Sequence, residues 1–435
     1  GAPRTAAEYW LRAGESAQAR STFRDAIAHI EHGLHALGSI ERETADDLLE
    51  FRLQTSLARA CTAADGWAGR RVRAAYSRAR TLARTLGKTE RTCEILWGLC
   101  AALCVQGAFG EATALAREYV AYAEQTHDRP ALLMADAVAL MAHFCQGQYD
   151  LAETHAARIA AHYRDEDRDL VRIYGQDPLV VACIYRSVWL WVQGRPDTGA
   201  SVSARGVARA RALNQPFTLC YALLNGACVT LLRREHVQAL TSIDEAMAIA
   251  EELRFRTYKV YGPLLGAPAL FEREPSASSI AWFEKCHALF RGAEAEMHRP
   301  LYLANLAAAY ATLGQLVEAQ ARIVEALEQM DRTGERWIAP ELLRVQAEVE
   351  LAVDADSDRP ELLLWHALDN ARSAGARSFE LRIACDLGVL LEKRGRRHDV
   401  EELIASLLEG FDEGADTIDH ARARAWLTRT AWPAK

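Results

Sequence analysis

Between Leu303 and Ala326 the apolar positions fall into two sets separated by a glycine. Counted from Gly314, Leu303, Leu306, Ala307 and Tyr310 stand at minus 11, 8, 7 and 4, and Ala319, Ile323 and Ala326 stand at plus 5, 9 and 12. Spacings of three and four put each set on one face of a helix, so the stretch predicts two helices folded against each other across a turn. The alanines mark the closest approach of the two axes, and Leu303, Tyr310 and Ile323 fill the space around them.

The same turn position recurs at Gly107, Gly147, Gly194, Arg234, Glu274, Gly314 and Gly395, in steps of 40, 47, 40, 40, 40 and 81 residues. The last step holds two repeats, with one turn blurred by an insertion at Asp354 to Pro360. Small residues keep register with these turns: Ala112, Ala152, Ala239 and Ala319 at plus 5, and Ala227, Ala267, Ala307 and Gly388 at minus 7. A fixed period of this size means a solenoid. The small, large and glycine positions resemble the tetratricopeptide repeat, which implies an all-α, right-handed superhelix. The period of about 40 residues is longer than the simplest such unit, so each helix is expected to run about one turn longer. About ten hairpins are expected in a single domain spanning 1–435: a shortened first repeat at 3–40, regular repeats over 43–410 with an irregular one at 147–194, and a capping helix at 415–431. No segment alternates with period two, so no sheet is expected.

Half of the residues are apolar and a quarter charged, enough for a large core and unlike a disordered chain. The formal net charge is −8 with both signs interspersed, and without a basic stripe nucleic-acid binding by this segment is not expected. Ten cysteines without CxxC pairs, mostly on apolar helix faces, suggest free thiols in a reducing cytoplasm. No apolar stretch is long enough to span a bilayer. Gly1-Ala2 reads as an expression remnant ahead of a pattern that is already helical, so a fragment of a longer protein is expected.

Three stretches invite a chemical reading and each has a plainer one. Leu86-Gly87-Lys88-Thr89 contains the GKT of a phosphate-binding loop, but Leu82 stands where that loop needs glycine and a helix precedes it. His29, His32 and His35 have no obvious further metal ligand, and Cys93, Cys100 and Cys104 share one apolar helix. No catalytic motif, metal site or cofactor site is expected.

The inner surface of the superhelix is more informative. Trp97, Met134, Met141, Phe144, Ile184, Trp191, Tyr221, Leu224, Tyr261, Leu264 and Phe271 occupy the register that faces it. This band is either an exposed site for an amphipathic helix or a hydrophobic ligand, or it packs against itself across a narrowed superhelix. Asn225 and Asn305 share the register at minus 9, inside helices where asparagine is disfavoured, and so serve either an interhelical bond or a ligand. In the irregular repeat the surplus residues fall near Asp165 to Asp169 and Tyr174-Gly175-Gln176-Asp177-Pro178, in what the register makes the first helix of a pair. Asp177 there is a cap for a helix starting at Pro178, or joins Tyr174 and Gln176 beside Ile184, Trp191 and Tyr221 in a binding site. The candidate ligand- or partner-binding residues are therefore Tyr174, Gln176, Asp177, Ile184, Trp191, Tyr221, Asn225, Tyr261 and Asn305.

Several stretches, in order, resemble one bacterial group: Ala7 to Gly14 with Ala26 to His29 and Gly33-Leu34, Tyr174 to Pro178, Gly334-Glu335-Arg336-Trp337 with Glu341-Leu342, Ser378 to Arg382, and Glu409-Gly410-Phe411 with Asp416-Thr417. It is the C-terminal repeat region of signalling proteins that join a class III adenylate/guanylate cyclase, or a winged-helix or other DNA-binding domain, to an AAA-type ATPase. Ala415 departs from the aromatic usual in that family. The resemblance implies a non-catalytic sensor or scaffold arm. Its partners would be a protein or peptide, the parent's own ATPase or effector domain, or a small hydrophobic inducer held inside the superhelix, without nucleic acid or membrane.

Overall fold

The computed structural model describes residues 2–20, 22–38, 43–87 and 91–429. They form ten helical hairpins: Ala2–Ala19 with Phe23–Gly38, Thr44–Asp65 with Arg70–Thr85, Thr92–Val105 with Phe109–Gln125, Arg129–Cys145 with Tyr149–His162, Pro178–Val192 with Pro196–Ala212, Pro216–Leu232 with His236–Glu252, Arg256–Arg273 with Ala277–Gly292, Arg299–Thr312 with Leu316–Thr333, Ala339–Val353 with Arg359–Ser373, and Arg377–Lys393 with His398–Glu409. Ile418–Thr428 follows as a lone helix, its Trp426 ring lying where a Cβ on Gly388 would approach to 3.0 Å. No strand occurs among the described residues. The architecture is an α-solenoid.

Each hairpin follows from its sequence. Ala112, Ala152, Ala239 and Ala319 are all buried where helices cross. The turns at Gly107, Gly147, Gly194, Gly314 and Gly395 have φ between 70° and 88°, the left-handed region that ends a helix most cheaply on glycine. Helices such as Pro178–Val192, Pro196–Ala212 and Pro216–Leu232 begin on proline, whose missing N–H falls where a helix leaves amides unbonded anyway. The first helix of a pair is buried almost all round, as in Arg129–Cys145, while its partner Tyr149–His162 buries one face. First helices therefore line the interior.

The surplus of the irregular repeat does not interrupt a first helix, contrary to the reading from register. It forms the connector between Tyr149–His162 and Pro178–Val192, made of a 3-10 turn, Asp165–Asp169, and a short helix, Leu170–Tyr174. Gly175 at φ 73° ends that helix, and Asp177 accepts from the Val180 amide at 2.9 Å to start the next. A strong stop followed by a cap and a proline keeps the long helix whole.

Successive turns of the superhelix touch. Val105 O accepts from the Glu296 and Met297 amides at 2.9 and 3.1 Å, and Cys145 O accepts from the Arg336 amide at 2.8 Å. Trp191 O accepts from the Ser378 hydroxyl, and Leu232 O accepts from Arg382 at 2.9 Å. Contacts across this seam join residues 150–192 apart, such as Leu232 with Arg382, Trp191 with Ser378 and Val105 with Met297, four to five hairpins along the chain. Helix-end carbonyls of one turn are thus satisfied by the next.

Candidate functional site

Winding this tight decides the fate of the apolar band. Trp97, Met134, Met141, Phe144, Ile184, Trp191, Leu224, Leu264 and Phe271 are all buried, and Tyr221 and Tyr261 are half-buried. The band is not an exposed surface; it packs across the narrowed superhelix. What remains open is a cavity of about 1150 Å³ lined by inner helices from both superhelical turns. Its apolar wall includes Phe144, Ile184, Val188, Leu265, Phe271 and Phe283.

Of the candidate binding residues read from sequence, Ile184, Asn225 and Asn305 line this cavity. The two asparagines differ. Asn225 donates to Tyr221 O at 2.9 Å and accepts from the Tyr261 hydroxyl at 3.2 Å, so it ties adjacent inner helices together. The Asn305 amide makes no hydrogen bond with any described residue and faces the cavity half-buried. Tyr221 and Tyr261 stand behind the wall with hydroxyls that burial holds neutral.

Tyr174, Gln176, Asp177 and Trp191 lie elsewhere. Tyr174 meets the edge of Trp97 at 6.2 Å, and its carbonyl accepts from the Trp97 indole at 3.1 Å. Gln176 is buried, with its side-chain carbonyl oxygen unbonded among the described residues. Asp177 is fully buried, where it accepts from the Tyr163 hydroxyl at 2.6 Å and faces Arg209 at 3.6 Å. Burial raises its pKa, and those partners only partly offset the rise. Trp191 packs edge-on against Phe379 at 5.0 Å with the Arg382 guanidinium over its face at 5.2 Å. It belongs to the seam.

The charged rim of the cavity has no counterpart in the candidates read from sequence. Arg344 grips Glu341 through two bonds of 2.9 Å and reaches Asp386 at 2.8 Å. Arg382 holds Asp419 at 2.8 Å, and Arg422 holds Asp386 at 2.6 Å. Burial alone would raise the carboxyl pKa values of Glu341, Asp386 and Asp419, but the arginines override it and hold all three below the usual range. The available signal was the presence of Glu341, Arg344 and Arg382 at inner-helix positions that the repeat pattern otherwise gives to apolar side chains.

Trp10 lies against the rings of His29 and His32 at 5.3 and 5.1 Å, while Lys88 and Thr89 of the GKT stretch lie outside the described residues. All ten cysteines are free, and burial pushes the Cys93 and Cys104 thiols up to about 11 and 12. Cys145, His298 and Glu335 bring three potential metal-ligand atoms within 4.8 Å of one another, all buried at the seam. Glu335 there already accepts from the His298 ring at 2.9 Å, the His298 amide at 3.1 Å and the Trp337 indole at 2.7 Å. The carboxylate is satisfied as a clamp. No described helix is long and apolar enough to cross a membrane.

No protein-family model and no curated protein matches the chain. Among solved structures, it is similar to the Cut9–Hcn1 hetero-tetramer of APC/C, at a TM-score of 0.52 and 10% identity over 96% of this chain and 74% of that one. Yeast Tom70 aligns at a TM-score of 0.40 and 10% identity over 97% and 95% of the two chains. A Rap protein complexed with competence and sporulation factor aligns at 0.39 and 12% over 94% and 96%. The last two superpositions are too loose to bear on function. The first shows a shared fold, an α-solenoid of repeated helical hairpins.

Proposed function

We propose that this chain is a non-catalytic interaction and regulatory module that holds a ligand, a short peptide or a small molecule, inside its superhelix. In this reading it is the sensor arm of a longer bacterial signalling protein, and the ATPase, cyclase or DNA-binding output lies on other domains. The carrying observation is the cavity of about 1150 Å³, apolar over most of its wall and supplied with a few convergent polar groups, which is the usual make-up of a ligand site. The sequence resemblance supports the signalling context. A partner protein, or the parent's own ATPase domain, would meet the outer faces and ends of the solenoid, since the inner band is occupied by its own packing.

Filling the cavity tests this. Ala308 lines it and is half-buried, so Ala308→Trp should abolish binding of a ligand recovered from the native protein by mass spectrometry while leaving the helical circular dichroism unchanged. Undiminished binding by a folded Ala308→Trp protein would refute the internal site.

A further inference from the structure

The turn between Pro216–Leu232 and His236–Glu252 differs from its equivalents in one respect. Where the turns at 107, 147, 194, 314 and 395 carry glycine and Glu274 lies at φ −143°, this one carries Arg234 at φ 61°, one of eight non-glycine residues with positive φ among the described residues. Its amide closes the turn onto Leu231 O at 2.9 Å, as the Gly314 amide does onto Ala311 O at 3.0 Å. An L side chain in this conformation is strained, and such strain collects where a side chain has a task.

Nothing in the packing supplies that task. The Arg234 side chain lines the cavity and makes no hydrogen bond or ion pair with any described residue. Its neighbour Arg233 is bound to Asp197 and Glu235, and Arg344, Arg382 and Arg422 are each held by carboxylates. Asp419 and Glu272 stand near enough to favour its charge. Burial and the adjacent Arg382 nevertheless lower its pKa, so the guanidinium is under-compensated where it stands. A half-buried cation with five donors, no acceptor and no partner on the wall calls for an anion.

We infer that Arg234 anchors the acidic group of a largely apolar ligand seated in the cavity, that group being a carboxylate matched to the guanidinium fork. The inference rests on the reading of the cavity as a ligand site and names the chemistry it selects. A planar two-pronged donor suits a carboxylate, and the apolar wall of Ile184, Val188, Leu265 and Phe271 suits the remainder of the molecule. The unbonded Asn305 amide offers one further polar contact in the same cavity. The carboxylate has two natural sources, the free C-terminus of a short apolar peptide and a small aliphatic acid.

Arg234→Gly separates a ligand role from a structural one, because glycine is the residue this turn prefers. The probes are dodecanoate against dodecanol, and apolar hexapeptides with a free against an amidated C-terminus, read by calorimetry and by thermal shift on the 435-residue chain. The expected result is at least about tenfold tighter binding of the acid form in one pair, which identifies the source. Arg234→Gly should lose that preference at an unchanged or higher melting temperature, and Arg234→Lys should keep part of it. Equal binding of acid and neutral forms, or an acid preference that survives in Arg234→Gly, overturns the anchor and leaves the cavity reading standing. If no probe binds at millimolar concentration and Ala308→Trp behaves as the parent chain does, both fall.

Discussion

Asp177 has the makings of a binding group, yet the structure engages it locally. Its carboxylate serves the Val180 amide and the Tyr163 hydroxyl from a fully buried position. Asp177→Ala should therefore destabilise the protein by about 2 kcal/mol, the upper end for a lost cap because partners are stranded as well, as measured by urea unfolding. His287 is a second buried polar group with a measurable consequence. Burial, reinforced by Arg299, lowers its pKa from 6.5 to about 4, so between those values the unfolded chain binds the proton and the folded one does not. Its contribution is complete above pH 6.5 and is lost as pH falls toward 4, an effect of about 3 kcal/mol at the limit. His287→Phe should flatten that part of the acid limb of the stability profile, although His143 and His420, also lowered by burial, will keep some slope. At the helix crossings, Ala239 and Ala319 are fully buried, and enlarging either to Leu should cost about 1–3 kcal/mol in the same unfolding measurement.

The hairpin was legible because everything that makes it is local. Glycines at turn register, alanines at plus 5 and prolines at helix starts each act within a few residues. The irregular repeat shows where such reasoning stops. Its composition signalled an insertion, but whether the insertion broke a helix or joined two depended on where Gly175 and Asp177 divided it. Because Tyr174 and Gln176 belong to that connector and not to the cavity wall, the double variant Tyr174→Phe, Gln176→Ala should bind a cavity ligand as the parent does. Loss of binding in a variant of unchanged melting temperature would return those two residues to the site. Asn225 and Asn305 make the same point from inside regular helices. They share a register, yet one is bonded to its own helix and to Tyr261 of the next inner helix and the other is left facing open space, a difference set by which side chains the adjacent repeats present.

Across the solenoid, the contacts that set the interior join residues 150–192 positions apart. A repeat array held only by neighbours unfolds as a sum of local terms, whereas a seam couples distant repeats. Glu335 stands at that seam beside Cys145, fully buried and bonded to His298 and Trp337 of its own turn, while its neighbour Arg336 bonds across the seam to Cys145 O at 2.8 Å. Glu335→Ala should therefore raise amide exchange both around 296–340 and around 141–149, a region far off in sequence, when followed by hydrogen exchange mass spectrometry. Faster exchange confined to 296–340 would mean the seam carries little energy. Some of the stretches behind the sequence resemblance, Gly334 to Trp337, Ser378 to Arg382 and Gly410-Phe411, are seam residues: Arg336 and Ser378 close carbonyls of the previous turn, and the Phe411 ring lies where a Cβ on Gly194 would approach to 2.7 Å.

The amino-acid sequence by itself determined the helical hairpins and their period, since the hairpins rest on spacings of three to twelve residues and those spacings recur about every 40. It left undecided whether the inward band is a surface or a core. That choice turns on the small rotation between successive hairpins, which accumulates over four to five of them before the chain meets itself, and no local pattern records the sum. Only the tertiary structure buried Trp191 against Phe379, gathered Glu341, Arg344 and Arg382 into a paired rim, and left Arg234 and Asn305 unpaired at the wall of the remaining cavity. Those outcomes are geometric remainders of the winding, fixed where helices from two superhelical turns fail to fill the space between them.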